Sequence, residues 1–272
     1  MAPVEHGQSL YLTSLIQELT GWNNPRAMLE QAIQNGQFLL LAQKIISLRS
    51  GAPDPLLYEI LLRLKQEEDN LLPPGGFFDL AESAGMMEDI DRWVVRAALR
   101  WAAGTLSNEP AARLPVMCVN VSGMALENPG FAQAVMEELR QSAIPPRGLC
   151  FEISEADVIA HHTAVRRFIQ SVKPGCQISI DSFGSVKVSF LHLKGLPVDF
   201  IKIDGDIVKN IAHNATDLAR VKAIALASQR IGIRTIAAFV ETKETLGKLR
   251  QIGVDYVQGF GIARPEPLSD LA

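Results

Sequence analysis

Eight short apolar runs punctuate this chain, and each carries an acid, an amide or a small polar residue at or near one end. They are FLLLAQKIISL from Phe38, LLYEILLRL from Leu56, VMCVNVS from Val116, LCFEISE from Leu149, QISIDSFG from Gln177, FIKID from Phe200, RTIAAFVE from Arg234 and YVQGFGIA from Tyr256. Runs of this length, mostly separated by stretches of helical periodicity, specify buried strands alternating with helices. Polar groups gathered at the carboxyl ends of such strands describe the rim of a β/α barrel. One connection breaks the alternation. The first two runs are joined by Arg49-Ser50-Gly51-Ala52-Pro53-Asp54-Pro55, whereas a helical crossover takes a dozen or more residues. The first strand is therefore expected antiparallel to the second, in a modified (β/α)8 TIM-like barrel.

The 272 residues suit one such barrel, for which about 250 is typical. Residues 1–28 read as an N-terminal linker or helix and 29–272 as the barrel domain. Leu12, Leu15, Ile16 and Leu19 have helical spacing, suited to the tail of an upstream module or to a packing helix. Helices are further expected from Pro25 to about Asn35, then over 77–84, 89–103, 129–141, 156–172, 189–194, 217–231 and 243–252. Pro73-Pro74-Gly75-Gly76 reads as a loop, and Glu67-Glu68-Asp69-Asn70 as a solvated turn.

The net charge of −4, with both signs mixed along the chain, leaves no basic stripe for a nucleic acid polymer. Cys118, Cys150 and Cys176 lie in or beside apolar runs without the paired spacing of a metal or redox motif. They read as reduced core residues of a cytoplasmic protein. No stretch approaches roughly 18 continuous apolar residues, so no membrane segment is expected in this chain.

The chemistry concentrates at strand ends. Glu59 sits in an apolar strand with Arg63 four residues on, on the same face of an extended chain. Asn120, Glu152 and Asp181 repeat that position on three further strands, Lys202 and Asp204 end the next, and Gln258 ends the last. Any one of these acids alone reads as an internal salt bridge or a helix cap. Six strands each carrying a polar residue at the same end read as a site, and four oxygen ligands suit Mg²⁺ or Mn²⁺. His161-His162 reads as a solvated helix face, and Asp91-Arg92 as a capping and surface feature.

These residues carry a resemblance. From about Met28 to Pro265 the chain resembles an EAL domain, the family that hydrolyses the bacterial second messenger cyclic di-GMP. The family's Glu-Ala-Leu with its following arginine appears as Glu59-Ile60-Leu61-Leu62-Arg63, its Asn-x-Ser as Asn120-Val121-Ser122, and its Glu-x-Thr-Glu as Glu152-Ile153-Ser154-Glu155. Lys202-Ile203-Asp204, Asp255-Tyr256-Val257-Gln258-Gly259 and Gln43 complete the ordered series. The resemblance implies a metal-assisted attack of water on one phosphodiester, with Glu59, Lys202 and Glu155 in the catalytic set. It makes Glu59, Asn120, Glu152 and Asp181 the ligands of one metal, with Asp181 bridging to a second. Gln43, Leu61, Arg63, Asp204, Phe239, Glu241 and Gln258 are expected to meet the dinucleotide, Arg63 at a phosphate and Phe239 at a purine face or, equally, in the core.

The pattern breaks twice. The family's Asp-Asp-Phe-Gly is here Asp181-Ser182-Phe183-Gly184, and its Glu-x-Val-Glu is Ala238-Phe239-Val240-Glu241. Both missing carboxylates match ligands of the second metal. Glu241, three residues beyond Ala238, would face away on an extended strand, unless it or Glu155 swings in and preserves slow turnover. The loop Ser185-Val186-Lys187-Val188-Ser189 also departs from the family's Thr-Gly-Tyr-Ser-Ser, which couples dimerisation to metal binding. The expectation is a degenerate member that binds cyclic di-GMP or a protein effector as a signalling module, as a homodimer or within a multidomain protein. Mg²⁺ or Mn²⁺ fits one residual site, and binding requires none. The alternatives are a weak metal-dependent phosphodiesterase and a protein-interaction scaffold.

Overall fold

The computed structural model describes residues 24–49, 56–65, 76–109, 113–185 and 188–271. The expectations for the N-terminal residues before 24, the acid run at 67–70, most of the first inter-strand connection, most of the Pro-Pro-Gly-Gly loop and residues 186–187 lie outside these. The strands are β1 (Phe38–Ser47), β2 (Leu57–Leu64), β3 (Val116–Asn120), β4 (Leu149–Ser154), β5 (Gln177–Phe183), β6 (Phe200–Ile203), β7 (Arg234–Ala237), β8 (Tyr256–Val257) and β9 (Glu266–Pro267). The helices are α1 (Pro25–Gln34), α2 (Gly76–Ser83), α3 (Met87–Asn108), α4 (Gly123–Glu127), α5 (Pro129–Ser142), α6 (Glu155–Ala160), α7 (His162–Val172), α8 (Gly205–Asn210), α9 (Ala215–Ile231) and α10 (Lys243–Ile252).

β2 through β8 pair in chain order as a parallel sheet, and β1 closes the barrel by pairing antiparallel with both β2 and β8. The register runs from Phe38 opposite Leu64 to Ile45 opposite Leu57, so the reversed first strand is as the short connection requires. β9 adds a two-residue antiparallel pairing at Leu41 and Ala42.

Strand alternation divides the core in two. Ile45, Leu57, Val116, Cys118, Cys150, Phe200, Ile236 and Tyr256 form one buried cluster inside the barrel. Residues of the opposite parity, such as Ile60, Val119, Phe151, Ile180, Ile201 and Val257, join the larger cluster beneath the helices. Two positions beyond members of the interior cluster stand Glu59, Asn120, Glu152, Lys202, Ala238 and Gln258, with Asp181 two beyond the buried Ser179. On the reversed strand the step runs backwards, from Ile45 to Gln43. A period of two along every strand therefore stacks a polar layer on an apolar floor. The three cysteines are free and buried.

Several helices differ from their sequence expectation. The 156–172 stretch is two helices, separated at His161 (φ −119°, ψ 33°), whose Nδ1 pairs with Glu127. The 189–194 stretch shrinks to a 3-10 turn at Leu191–Leu193. α4 and α8 were not anticipated, because each is a single short turn built on its cap: Ser122 accepts from the Ala125 N–H, and Asp204 from the Asp206 N–H. Among the described residues no helix is long and apolar enough to cross a membrane.

Candidate functional site

The polar layer is one connected network. The Glu59 carboxylate accepts from Asn120 Nδ2 at 3.1 Å on Oε1, and from Lys202 Nζ at 2.7 Å and Gln258 Nε2 at 2.6 Å on Oε2. Lys202 Nζ also donates to Glu152 Oε2 at 2.9 Å and lies 3.9 Å from Asp181 Oδ1. Gln258 Nε2 reaches Gln43 Oε1 at 3.0 Å, and Gln43 Nε2 donates to the Ala263 carbonyl. Three carboxyl groups thus surround one ammonium.

Charge sorts the members. Burial pushes the Glu59 carboxyl up, but the Lys202 charge and the hydrogen bonds from Lys202, Gln258 and Asn120 outweigh it and hold the group below its ordinary range. Burial pushes Glu152 up to about 8; the charges of Glu59 and Asp181 act the same way and Lys202 only partly offsets them. Lys202 is held well above its ordinary value: burial pulls it down, but Asp181, Glu152 and Glu59 more than reverse that. Glu152 Oε1 is buried without a partner.

Gln43, Glu59, Leu61, Arg63, Asp181, Ser182, Lys202, Asp204, Ala238, Phe239, Glu241 and Gln258 all line one cavity of about 400 Å³. Gly205, Asp206, Gly259, Phe260 and Pro265 complete its wall. Asn120 and Glu152 instead line an adjoining cavity of about 340 Å³ that shares Leu61 and Arg63 with the first and adds Asp91, Ser122, Ser154 and Asp157. Arg63 lines both cavities, and its Nη1 donates to the Leu62 carbonyl at 2.8 Å. Glu155 lines neither; its Oε2 accepts the Gly184 N–H at 2.9 Å, supporting the turn that follows Ser182.

Strand alternation turns Glu241 away from the cavity, whereas the resemblance sets it among the ligand-contacting residues. Glu241 does not face away, because the chain leaves the strand at Ala237 and Phe239 takes φ +55°, which re-aims the residues beyond it. This is a left-handed conformation that costs a side-chain-bearing residue about 1–2 kcal/mol. The segment is zipped to the last strand's extension, with Val240 N donating to the Gln258 carbonyl and Gly261 N to that of Val240. A Cβ at Gly259 would stand 2.2 Å from Val240 N, so only glycine permits this approach.

The oxygen donors implied for a first metal are gathered here, but Lys202 holds its ammonium among them. Among the described residues no three His, Cys, Asp or Glu side chains stand in ligating geometry. Ser182 and Ala238, at the positions where the resemblance implies ligands of a second metal, bring no carboxylate to the cavity. The donor set does not fit a metal pair.

Asp91 is a further correction: it is buried rather than a surface cap, and its Oδ2 accepts the Ser122 N–H at 2.9 Å and Oγ–H at 2.7 Å. Helix position alone gave no sign of this, because Ser122 lies 31 residues away. Burial pushes its carboxyl to about 7, against hydrogen bonds from Ser122 that pull it down. The folded state therefore keeps this proton to higher pH than the unfolded chain, and stability falls as pH rises from about 4 to about 7. Asp91→Asn keeps an acceptor for Ser122 and removes the titration. It is expected to stabilise the protein at pH 8 by about 2–4 kcal/mol relative to wild type, with the gain shrinking toward pH 5. Urea denaturation at the two pH values checks this, and an equal effect at both contradicts it.

The profile of the EAL domain matches residues 26–265. The chain is 36% identical over 240 residues to the cyclic di-GMP phosphodiesterase PdeB of Shewanella oneidensis, covering 88% of this chain and 28% of that protein. It is 32% identical over 243 residues to the cyclic di-GMP phosphodiesterase PdeF of Escherichia coli, covering 89% and 32%. The chain thus spans about a third of the length of these relatives. Among solved structures, the FimX EAL domain from Pseudomonas aeruginosa bound to c-di-GMP aligns with a TM-score of 0.80 at 31% identity, covering 90% of this chain and 97% of that one. The PaMucR phosphodiesterase in complex with c-di-GMP aligns with a TM-score of 0.80 at 30% identity, covering 90% and 98%. With its reversed first strand, its strand-end network and these relatives, the chain belongs to the EAL domain family.

Proposed function

We propose that this chain binds cyclic di-GMP as a regulatory module and does not hydrolyse it. The observation that carries the reading is the composition of one cavity: Arg63, Phe239, Gln258 and Gln43 line it, while Ser182 and Ala238 stand in it without a carboxylate. Hydrolysis by a metal pair needs ligands on both sides of the attacked phosphate. Binding needs a fork of donors for phosphate, which Arg63 offers, and an aromatic face for a base, which Phe239 offers.

Lys202 supplies positive charge at the centre of the acidic network, so the binding reading requires no metal. Mg²⁺ or Mn²⁺ at Glu59, Asn120, Glu152 and Asp181 would have to take over that position. The length of the relatives supports a module within a larger signalling protein, where it acts on a protein effector or a second copy.

One observation favours residual phosphodiesterase activity: Glu241 shares the cavity with Ala238 and is the nearest acid in sequence to the lost carboxylate. The cavity as a whole favours binding alone.

Arg63→Ala separates ligand binding from a pure scaffold. Calorimetric titration with cyclic di-GMP in EDTA is expected to show saturable binding for wild type and a loss of about 10- to 150-fold for Arg63→Ala, the scale of a lost charge-assisted contact. Equal affinity in the two proteins sinks the role given to Arg63, and no heat at high micromolar ligand for wild type sinks the binding reading.

A further inference from the structure

Phe239 pays for its place in backbone strain, and the strain aims its ring. The left-handed φ of +55° is an outlier for a bulky side chain, of the kind that persists where surrounding structure over-determines it. The residue is 54% exposed and lines the Glu59 cavity. Its inner side rests on α8. A Cβ added to Gly205 would stand 2.1 Å from Cδ2, 2.7 Å from Cγ and 2.9 Å from Cε2 of the ring, so the ring lies against bare backbone at the first residue of that helix. One turn on, Lys209 holds its ammonium 4.3 Å from the ring centroid and is tethered by Asp206 Oδ1 at 3.1 Å. Residues four apart share a helix face, so Gly205 and Lys209 meet the ring from the α8 side and leave its exposed part to the cavity.

We propose that Gly205 and Lys209 form a seat that fixes Phe239 as a stacking platform for one purine base of the ligand, with Gly205 as the positioning residue. This rests on the cyclic di-GMP reading and extends it to Gly205, which lines the same cavity beneath the ring, and to Lys209, which does not line it. A ring already held in place loses little rotamer freedom when a base arrives, and its free face is open to any purine. The ammonium holds the ring by attraction to its π face. Every larger residue at position 205 displaces the ring, so the seat makes glycine a functional requirement there.

The test is a double-mutant cycle read by calorimetry with cyclic di-GMP. Gly205 is outside the left-handed region, so alanine suits its backbone, and circular dichroism checks that Gly205→Ala is folded. Gly205→Ala is expected to weaken binding about 10- to 100-fold, as is Phe239→Leu. In the Phe239→Leu background, Gly205→Ala should then cost less than about 2-fold, because the two changes remove the same interaction. The guanine absorbance change that accompanies stacking should vanish in both single variants. Lys209→Met should cost about 2- to 5-fold. Wild-type affinity in Gly205→Ala, or an equal loss in both backgrounds, overturns the seat alone. A wild type that does not bind overturns the ligand reading and the seat with it.

Discussion

Replacing Lys202 with methionine is expected to lower the free energy of unfolding by about 3–5 kcal/mol, the cost of removing one partner from a buried ion pair. Methionine keeps most of the volume and removes only the charge and its donors. What remains is Glu59, 8% exposed, and Glu152, 1% exposed, facing each other near Asp181 with no ammonium between them. The loss should shrink at low pH. Lys202 holds Glu59 below its ordinary range, and a carboxyl with a depressed folded pKa contributes stability that disappears as pH falls through that value. Without Lys202 the acids protonate more readily, so wild type and variant converge toward acid. Urea denaturation at pH 8 and pH 4 measures this. A change below about 1 kcal/mol at pH 8 contradicts the place given to Lys202 as the cation of the site. Adding Glu59→Gln to the variant should recover part of the loss, since it removes one of the orphaned charges.

Restoring the two lost carboxylates should have an equally large effect on chemistry. Ser182→Asp with Ala238→Glu is expected to raise Mn²⁺-dependent conversion of cyclic di-GMP to the linear dinucleotide at least about 100-fold over wild type, with each single change giving little. Losing even outer partners of a metal costs about 10–100-fold, and residues that act as a set are strongly non-additive. The backbone favours the test. Ser182 takes φ +54°, where aspartate is better tolerated than most residues, and Ala238 already lines the cavity. Metal stoichiometry is an independent readout: calorimetry with Mn²⁺ should count two ions in the double variant and at most one in wild type. A wild type as active as the double variant would show that Ser182 and Ala238 are not the lesion.

Much of this was legible in the sequence for one physical reason. Where the chain is extended, alternation fixes which side chains face inward, so Glu59, Asn120, Glu152, Asp181, Lys202 and Gln258 read as one layer from their strand positions alone. The reversed first strand followed from the shortness of its connection. Legibility ended where alternation ended. Beyond Ala237 the left-handed Phe239 re-aims the chain, and Glu241, which alternation turns away but the family resemblance sets among the ligand contacts, lines the cavity. Asp91 beside an arginine in a helix carries no mark of burial, because its partner Ser122 is supplied by a distant loop. Gly205 reads as an ordinary residue of a short turn until the ring above it is seen. The division of the polar layer between two cavities is likewise a matter of side-chain packing, to which strand period is blind.

The central claim is that the molecule holds cyclic di-GMP and leaves it intact. Equilibrium dialysis of excess protein against the dinucleotide with Mn²⁺ present, followed by chromatography of the retained nucleotide, tests both halves at once. The expected result is retention on the protein side, with the retained nucleotide still cyclic. Nucleotide equal on both sides of the membrane, or recovered as the linear product, contradicts it.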